Sequence, residues 1–482
     1  MNRSIRHLTL FCLLLTLVLV ANLTLIHGFR HEEYANNPKN PRIRIETQSI
    51  ARGTITAGGQ VLAESHPDEN GIYHRSYPTD PVAFSPITGY LSNIYGTSGL
   101  ENSQNDILNG TDDSLITNRW REMFLGKDQV GANVETSIIP EVQETAYNAL
   151  ARSGYQGAVV AIKPSTGEIL AMASSPSFDA NGLSNDDTAE STWNTLSNDS
   201  TNPLLNHATQ ETLPPGSTFK IITTAAGLQH GYSPDSKLTG APSITLPGTE
   251  QTLTNYDAQP CAGGGEVTLR TAFALSCNTA FVQMGIGTGV DALRETAQAF
   301  GVGQSYDLGI PTAAGALGDI PDQASLGQSS IGQRDVSMSA LQAAVMAATV
   351  ANNGKRMEPH LISRITGADL HEISRTKPKE LNQAIPEDIA AQIRDLMIGS
   401  ERSTHGYAGE DIASKTGTAE HGGPGDPPHT WYVAFGPSQN ADVAVAVVVK
   451  NGGGMGLGAT GGAVSSPIGR EVLNTALRYL KQ

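Results

Sequence analysis

A serine and a lysine that could act as nucleophile and base lie in the run LPPGSTFKIITTAAGL, as Ser217 and Lys220. A serine hydroxyl is a weak nucleophile until a neighbouring base removes its proton. Residues three apart on a helix share one face, so the lysine amine can reach the hydroxyl. Two prolines and a glycine precede the serine, and the run rich in Ile, Thr and Ala predicts a helix from Ser217 that stops at Gly231. The unpaired N–H groups of a helix start would also suit a developing oxyanion.

Two further motifs weigh against the alternative that Ser217 is only a helix N-cap in a chance S-x-x-K match. Segment 276–278 is Ser-Cys-Asn, within TAFALSCNTAFVQMG, and segment 415–418 is Lys-Thr-Gly-Thr, within DIASKTGTAEHG. Each alone has a plain structural interpretation, as polar residues at a helix edge or as a strand end and turn. Their occurrence together and in this order makes a chance origin improbable.

The set S-x-x-K, S-x-N and K-T-G is typical of penicillin-recognising serine enzymes. On these motifs the chain resembles the class B penicillin-binding proteins, which are monofunctional peptidoglycan D,D-transpeptidases, and most of all their actinobacterial penicillin-binding protein A subgroup. The resemblance covers most of the chain: an apolar N-terminal segment, RGTI…LAES, GLENSQNDILNG, PLLNHATQETLPPGSTFK, LSCNTAF, SLGQSSIGQRDVSMSALQAA, ASKTGTAE and HTWYVAFGP. It implies an enzyme of cell wall synthesis and division that cross-links stem peptides through a serine acyl-enzyme and is inhibited by β-lactams.

The resemblance also implies a role for each motif residue. Ser217 attacks the carbonyl of the penultimate D-Ala of a stem peptide, Lys220 is its base, and Ser276 passes the proton toward the leaving nitrogen. A lysine base must be neutral part of the time, which burial and a second cation, Lys415, would promote. The backbone N–H groups of Ser217 and Thr418 would form the oxyanion hole. The substrate-binding residues implied are Asn278, Lys415, Thr416, Gly417 and Thr418.

The elements that must position these residues indicate an α+β fold. RGTITAGGQVLAES predicts two short strands around a Gly58-Gly59 turn, and NVETSIIPEVQETAYNALA predicts a strand and then a helix near Pro140. GAVVAIKPSTGEILAMAS predicts a hairpin; HTWYVAFGP and DVAVAVVVKN predict two strands before a last helix from about Ser466 to Leu480. Hairpin connections favour a mainly antiparallel sheet. The resemblance implies the transpeptidase fold shared with serine β-lactamases, with a five-stranded sheet flanked by helices and an all-helical part.

An uncharged stretch from Leu8 to Ile26 predicts a membrane anchor. At about 1.5 Å per helical residue it spans roughly 28 Å, about the hydrocarbon thickness of a bilayer. Arg3 and Arg6 precede it, and the positive-inside rule places them in the cytoplasm. A cleaved signal peptide is the alternative, but the stretch is long for one and no small-x-small cleavage site follows. We expect a single-pass protein of the bacterial cytoplasmic membrane, with its N-terminus inside and its catalytic domain outside.

The chain is expected to have four parts. These are a cytoplasmic tail (1–7), the transmembrane anchor (8–26), a smaller N-terminal non-catalytic domain of pedestal or dimerisation type (27–135), and the transpeptidase domain (136–482). Residues 31–46 are expected to be a linker at the start of the third part. The net charge of −16 argues against nucleic-acid binding, which needs a basic surface.

The cysteines and glycines leave two questions. Cys261 and Cys277 lie in the exported part, where disulfides persist, so a bridge and two free buried thiols both remain open. So few cysteines argue against a cysteine-ligated zinc, and neither a metal nor a cofactor is predicted.

Segment 456–461 matches G-x-G-x-x-G, but too little chain follows it for a dinucleotide-binding domain. We expect it to form a flexible glycine loop beside the active site.

The fate of the acyl-enzyme is not determined by these residues, because they do not distinguish attack by a second amine from attack by water. A D,D-carboxypeptidase and a β-lactamase are therefore alternatives within the enzymes. Class A β-lactamases carry E-x-x-L-N between the second and third motifs; here Leu381-Asn382 is present, but Pro378 occupies the glutamate position.

A β-lactam sensor or a division scaffold is the non-enzymatic alternative. A sensor would need further membrane helices or a signalling domain, and a scaffold would not need all three motifs intact. The partners that the resemblance implies are peptidoglycan stem peptides, lipid-linked precursors, β-lactam antibiotics, a polytopic membrane glycosyltransferase and division proteins.

Overall fold

A computed structural model of the chain describes residues 3–29, 48–115, 130–423 and 425–481. The linker predicted at residues 31–46 lies outside the described residues. Helix α1 (Arg3–Phe29) contains a 21-residue apolar segment, Ile5–Leu25, with a mean hydropathy of 2.5. By length and composition this helix can cross a membrane, as predicted for residues 8–26.

The N-terminal domain is built on a short hairpin. Its elements are β1 (Ile55–Ala57), β2 (Gln60–Pro67), β3 (Tyr73–Ser76), α2 (Pro81–Thr88), β4 (Leu91–Ser92), β5 (Gly96–Thr97), α3 (Gly99–Ser103), α4 (Asn105–Leu108) and β6 (Asn133–Thr136). Strands β1 and β2 pair antiparallel across a Gly58-Gly59 turn in which both glycines have positive φ, which confirms the predicted hairpin. Strand β6 pairs with β1 in parallel.

A buried ion cluster fastens the helices of this domain to its sheet. The Glu101 carboxylate accepts a hydrogen bond from Arg52 Nε at 2.7 Å and one from Arg75 Nε at 2.5 Å. Arg52 also donates to the side-chain oxygens of Asn105 and Asn109, on and next to α4. Burial favours the neutral acid, but the two guanidinium groups outweigh it and hold the pKa of Glu101 below its ordinary value. The cluster joins the RGTI and GLENSQND segments of the sequence.

The larger C-terminal domain follows, over the region expected to be the transpeptidase. Its helices are α5 (Pro140–Ala151), α6 (Ala180–Ser184), α7 (Ala189–Ser197), α8 (Lys220–Gln229), α9 (Leu269–Ala274), α10 (Asn278–Thr288), α11 (Val290–Ala299), α12 (Gln323–Ser329), α13 (Ala340–Ala351), α14 (Glu387–Arg402) and α15 (Ser465–Leu480). Its strands are β7 (Gly157–Ile162), β8 (Ile169–Ser175), β9 (Lys237–Thr239), β10 (Ser243–Thr245), β11 (Thr252–Thr254), β12 (Glu266–Thr268), β13 (Lys355–Met357), β14 (Ile362–Thr366), β15 (Glu372–Arg375), β16 (Glu380–Gln383), β17 (Ala413–Ala419), β18 (His429–Gly436) and β19 (Val443–Val449).

A five-stranded antiparallel sheet in the order β17-β18-β19-β7-β8 forms the centre of this domain. Every residue of β7, β8, β18 and β19 is buried, because helices cover both faces and so the strands are apolar runs. Helices α5 and α15 pack on one face, and α13 packs on the other. The predicted hairpin, late strands, last helix and mainly antiparallel sheet are confirmed.

The sheet of the N-terminal domain is completed by strands from the C-terminal domain. Strands β14 and β15 extend it to the order β15-β14-β6-β1-β2-β3, with β14 antiparallel to β6. The sequence analysis did not predict this, since the pairing joins segments that are more than two hundred residues apart. It covers the outer edge of β6, which would otherwise expose unpaired backbone groups. The domain limits at 27–135 and 136–482 stay a prediction.

Candidate active site

The nucleophile segment differs in detail from the predicted helix. Ser217 lies in a 3-10 turn, Gly216–Phe219, and the α-helix begins only at Lys220. Gly216 has a φ of +52°, and a Cβ there would lie 2.8 Å from the Thr418 carbonyl oxygen. A positive φ and this close approach explain why a tighter turn precedes the helix.

Lys220 is fully buried and its amine lies among oxygen atoms of the second motif. Its Nζ donates to the Ser276 carbonyl oxygen and to Asn278 Oδ1, each at 2.7 Å, and lies 3.3 Å from Ser276 Oγ. Two strong donations use the two N–H bonds that a neutral amine has. Ser276 Oγ–H can then donate to the remaining lone pair.

Lys415 completes this group from strand β17. It is also fully buried, and its Nζ donates to Ser276 Oγ at 2.8 Å and to the Thr416 carbonyl oxygen at 3.1 Å. The Ser276 hydroxyl therefore lies between two lysine amines. When Lys220 is neutral, the hydroxyl can accept from Lys415 and donate to Lys220, which forms a continuous path for a proton.

Because both amines are fully buried, the state in which both are charged has a high free energy. Burial lowers the pKa of Lys220 well below its ordinary value, and the neighbouring Lys415 charge lowers it further. Burial lowers the pKa of Lys415 to about 7. Lys220 is thus the amine that loses its proton first, and Lys415 is the second cation that the sequence analysis expected.

The second motif is held in a strained conformation. Ser276 has a φ of +60°, in the left-handed region that costs a non-glycine residue roughly 1–3 kcal/mol. It lies between helices α9 and α10. The next residue, Cys277, forms a disulfide with Cys261 in this structure. The Cys277 backbone N–H donates to the Ala272 carbonyl oxygen at 2.9 Å, and these ties hold the turn that aims Ser276 at the lysines.

Asn278 is already engaged at both ends of its amide. Its Oδ1 accepts from Lys220, and its Nδ2 donates to the Thr254 carbonyl oxygen at 3.0 Å. The sequence analysis considered only a substrate contact here. The second lone pair of Oδ1 and the second N–H of Nδ2 remain for a substrate amide.

Strand β17 brings the third motif against the nucleophile turn. A Cβ at Gly417 would lie 2.8 Å from the Pro215 carbonyl oxygen and 3.0 Å from Thr218 Cγ2. The strand is at the edge of its sheet, so its outer side can pair with an extended substrate. Thr416 and Thr418 are half-buried there.

Three further residues support the site, and one of them, Gly461, ends the segment 456–461 that was expected beside it. Trp431 Nε1 donates to the Pro214 carbonyl oxygen at 2.9 Å and so holds the loop before the nucleophile. Gly461 packs so closely on Gly417 that a Cβ would lie 2.5 Å from the Gly417 carbonyl oxygen. Its N–H lies 3.4 Å from Thr418 Oγ1, which places the end of segment 456–461 beside the site. Glu401 binds Ser414, the residue before Lys415. Trp431 and Glu401 were not predicted, since each acts through a contact with another segment of the chain.

Among the residues that the structure describes, no group of three or more His, Cys, Asp or Glu side chains could hold a metal ion.

Ser217, the predicted nucleophile, lies with two buried lysines and a shared hydroxyl beside an open strand edge, and this arrangement suits a serine acyltransferase. The model of the penicillin-binding protein transpeptidase domain matches residues 157–474, and that of the penicillin-binding protein A dimerisation domain matches residues 52–134. The chain therefore belongs to the penicillin-binding protein transpeptidases, in the penicillin-binding protein A subgroup of class B. The family resemblance inferred from the sequence is confirmed.

Curated relatives match along the whole chain. The peptidoglycan D,D-transpeptidase PbpA of Mycolicibacterium smegmatis is 46% identical over 490 residues, which cover 99% of each protein. PbpA of Mycobacterium tuberculosis is 44% identical with the same coverage.

Solved structures agree in fold. Penicillin-binding protein A of M. tuberculosis, as its ceftriaxone acyl-enzyme complex, has a TM-score of 0.87 and 45% identity and covers 90% of this chain and 100% of that one. Its penicillin G acyl-enzyme complex has a TM-score of 0.86 and 46% identity, with 89% of this chain and 100% of that one covered. The predicted transpeptidase fold is confirmed.

We predict that Gly417→Ala slows acylation by a fluorescent penicillin on the order of 10²-fold. The added methyl group must push β17 away from the nucleophile turn, and a displacement of about 1 Å can cost that much in rate. Labelling rates of wild type and variant would measure it. Gly399→Ala is the control, because a Cβ there meets no atom within 4 Å. Equal rates for Gly417→Ala and wild type would contradict the account of the site.

Proposed function

We propose that this chain is a peptidoglycan D,D-transpeptidase that forms an acyl-enzyme at Ser217. The observation that carries the proposal is the contact of Lys220 and Lys415 with the single hydroxyl of Ser276. This arrangement supplies a base and a proton path to a serine in the adjacent turn. The names of the curated relatives and the β-lactam acyl-enzymes of a close structural relative support the same chemistry.

In the acylation step, Ser217 Oγ attacks the carbonyl carbon of the penultimate D-Ala and its proton passes to neutral Lys220. The carbonyl oxygen becomes an oxyanion that the N–H groups of Ser217 and Thr418 bind. Lys220 then returns the proton through Ser276 to the leaving nitrogen, the C–N bond breaks, and the terminal D-Ala departs as the neutral amine. A β-lactam follows the same steps, but its leaving nitrogen stays attached through the ring.

Substrate recognition is assigned to strand β17 and to Asn278. Lys415, when protonated, pairs with the terminal carboxylate together with the hydroxyls of Thr416 and Thr418. Gly417 leaves the edge bare, so the peptide lies against the strand. Asn278 Oδ1 accepts from a substrate amide while it holds Lys220.

The second step is attack by the amine of a neighbouring stem peptide, which forms the cross-link and releases Ser217. The D,D-carboxypeptidase and β-lactamase alternatives need a group that activates water. In this chain the glutamate position of the class A β-lactamase motif is Pro378, between β15 and β16, and the Leu381-Asn382 pair lies on β16. There Asn382 is used to accept a hydrogen bond from Arg356 at 2.8 Å. This favours transfer to an amine.

The proposed location is the bacterial cytoplasmic membrane, with helix α1 as the anchor, the N-terminus inside and the catalytic domain outside. Arg3 and Arg6 before the apolar segment support this orientation. A reporter enzyme that is active only outside the cytoplasm, fused after Gln482, should be active. Activity only with a cytoplasmic reporter would contradict it.

The proposed partners are lipid-linked precursors, a polytopic membrane glycosyltransferase and division proteins. A cross-linking assay tests the proposed activity together with two of these partners, the lipid-linked precursor and the glycosyltransferase. The full chain, a glycosyltransferase of this kind and lipid-linked precursor should yield cross-linked muropeptides by mass spectrometry. The Ser217→Ala variant should yield none, because it lacks the nucleophile. Stem peptides that are shortened by one D-Ala but not cross-linked would instead establish a carboxypeptidase.

A further inference from the structure

A partly buried charge cluster next to the active site has no part in the chemistry described above. The carboxylate of Glu211 accepts from Lys450 Nζ at 2.5 Å and pairs with His207 Nδ1 at 2.8 Å. The side chains of Glu211 and Lys450 are 19% and 18% exposed, so water screens the pair only in part. Burial raises the pKa of Glu211, but its hydrogen bonds from His207 and Lys450 and their charges outweigh this and lower it overall. The carboxylate is therefore ionised at neutral pH.

The two members of this ion pair belong to functionally different segments. Glu211 lies six residues before the nucleophile, in the run ETLPPGS. Lys450 begins the glycine-rich loop 450–461, directly after strand β19. The ion pair thus connects two segments. One leads to Ser217, and the other is the loop whose last residue packs against Gly417.

A second contact fixes the same end of the loop. Asn451 has a φ of +51°, which is unfavourable for a non-glycine residue, and its N–H donates to His429 Nδ1 at 3.2 Å. Burial lowers the pKa of His429 to about 4, together with the charges of His421, whose ring is stacked on it, and of Lys450. His429 is therefore neutral at physiological pH and its Nδ1 can accept. We call Glu211, Lys450, Asn451 and His429 the clasp.

The clasp holds the first residues of the loop, and strand β17 lies at the other end of the loop. Gly453 packs on the ring of Tyr155, where a Cβ would lie 2.7 Å from a ring carbon, so the loop runs along a fixed surface. At its far end Gly461 approaches the carbonyl oxygens of Trp431 and Gly417 and the hydroxyl of Thr418. The loop therefore contacts the ion pair at one end and the backbone that carries Gly417 and Thr418 at the other.

We propose that Glu211 and Lys450 are positioning residues for acylation: their ion pair holds the nucleophile segment and the glycine-rich loop in the register that places Thr418 opposite Ser217. This inference rests on the proposed function, because it requires acylation at Ser217. Neither residue touches the substrate. Their effect is on the rate of bond formation in the bound complex and not on initial binding.

The test is a double-mutant cycle on the full chain in detergent. Glu211→Gln, Lys450→Met and the double variant are mixed with a fluorescent penicillin, and the limiting acylation rate constant and the apparent Kd are separated by varying its concentration. Each single variant should lower the limiting rate constant on the order of tenfold with little change in apparent Kd. The double variant should be no slower than either single one, since both remove the same contact. Lys450→Arg, which keeps the charge, should retain most of the wild-type rate.

Matched controls separate positioning from loss of stability. Glu358→Gln and Lys379→Met break another ion pair, of 3.0 Å, which lies away from the loop, and should leave the rate constant unchanged. Thermal midpoints of all variants are measured on the same samples. The inference would be overturned if both single variants had a lower thermal midpoint but a wild-type acylation rate constant. It would also be overturned if the losses of the two single variants in acylation rate added up in the double variant. Absence of labelling in the wild-type protein would instead overturn the proposed function.

Discussion

The site depends on one electrostatic constraint: two buried lysine amines share a single hydroxyl. Lys220 and Lys415 both have fully buried side chains, and Ser276 Oγ lies within hydrogen-bond reach of each. Desolvation and mutual repulsion make the doubly charged state unfavourable, so the pair loses one proton, from Lys220, before Lys415 titrates near pH 7. The neutral amine that results is the base which a serine nucleophile requires. A surface lysine, with its ordinary pKa, could not serve.

The rest of the domain can be understood as the framework that keeps this group buried and aligned. Helix α8 carries Lys220, strand β17 carries Lys415, and the strained turn between α9 and α10 carries Ser276. Glu401, buried beneath the sheet, binds Ser414, Tyr432 and Arg470 and so ties β17 to helices α14 and α15. Glycines at the contacts between turn, strand and loop allow backbone to approach backbone where a methyl group would collide.

Much of this could be predicted from local sequence, because the motifs are short and their roles depend on residue type. Ser217, Ser276 and Lys415 were identified by pattern, and the apolar strands by their composition. The α-helix begins three residues later than predicted, because Gly216 adopts a positive φ against Thr418. The engagement of Asn278 with Thr254, the pairing of β14 with β6 and the clasp were not predicted. Each is a contact between segments far apart in the chain, and no periodicity records such a partner.

Lys220 must be neutral if it is to accept the proton of Ser217. NMR titration of the full chain with lysines labelled at Cε measures this directly, with the two resonances assigned from Lys220→Met and Lys415→Met variants. The account predicts that the Lys220 resonance titrates at lower pH than that of Lys415, and that the Lys415 resonance titrates near pH 7. If both amines remained charged up to the ordinary lysine pKa of about 10.4, the account would be contradicted.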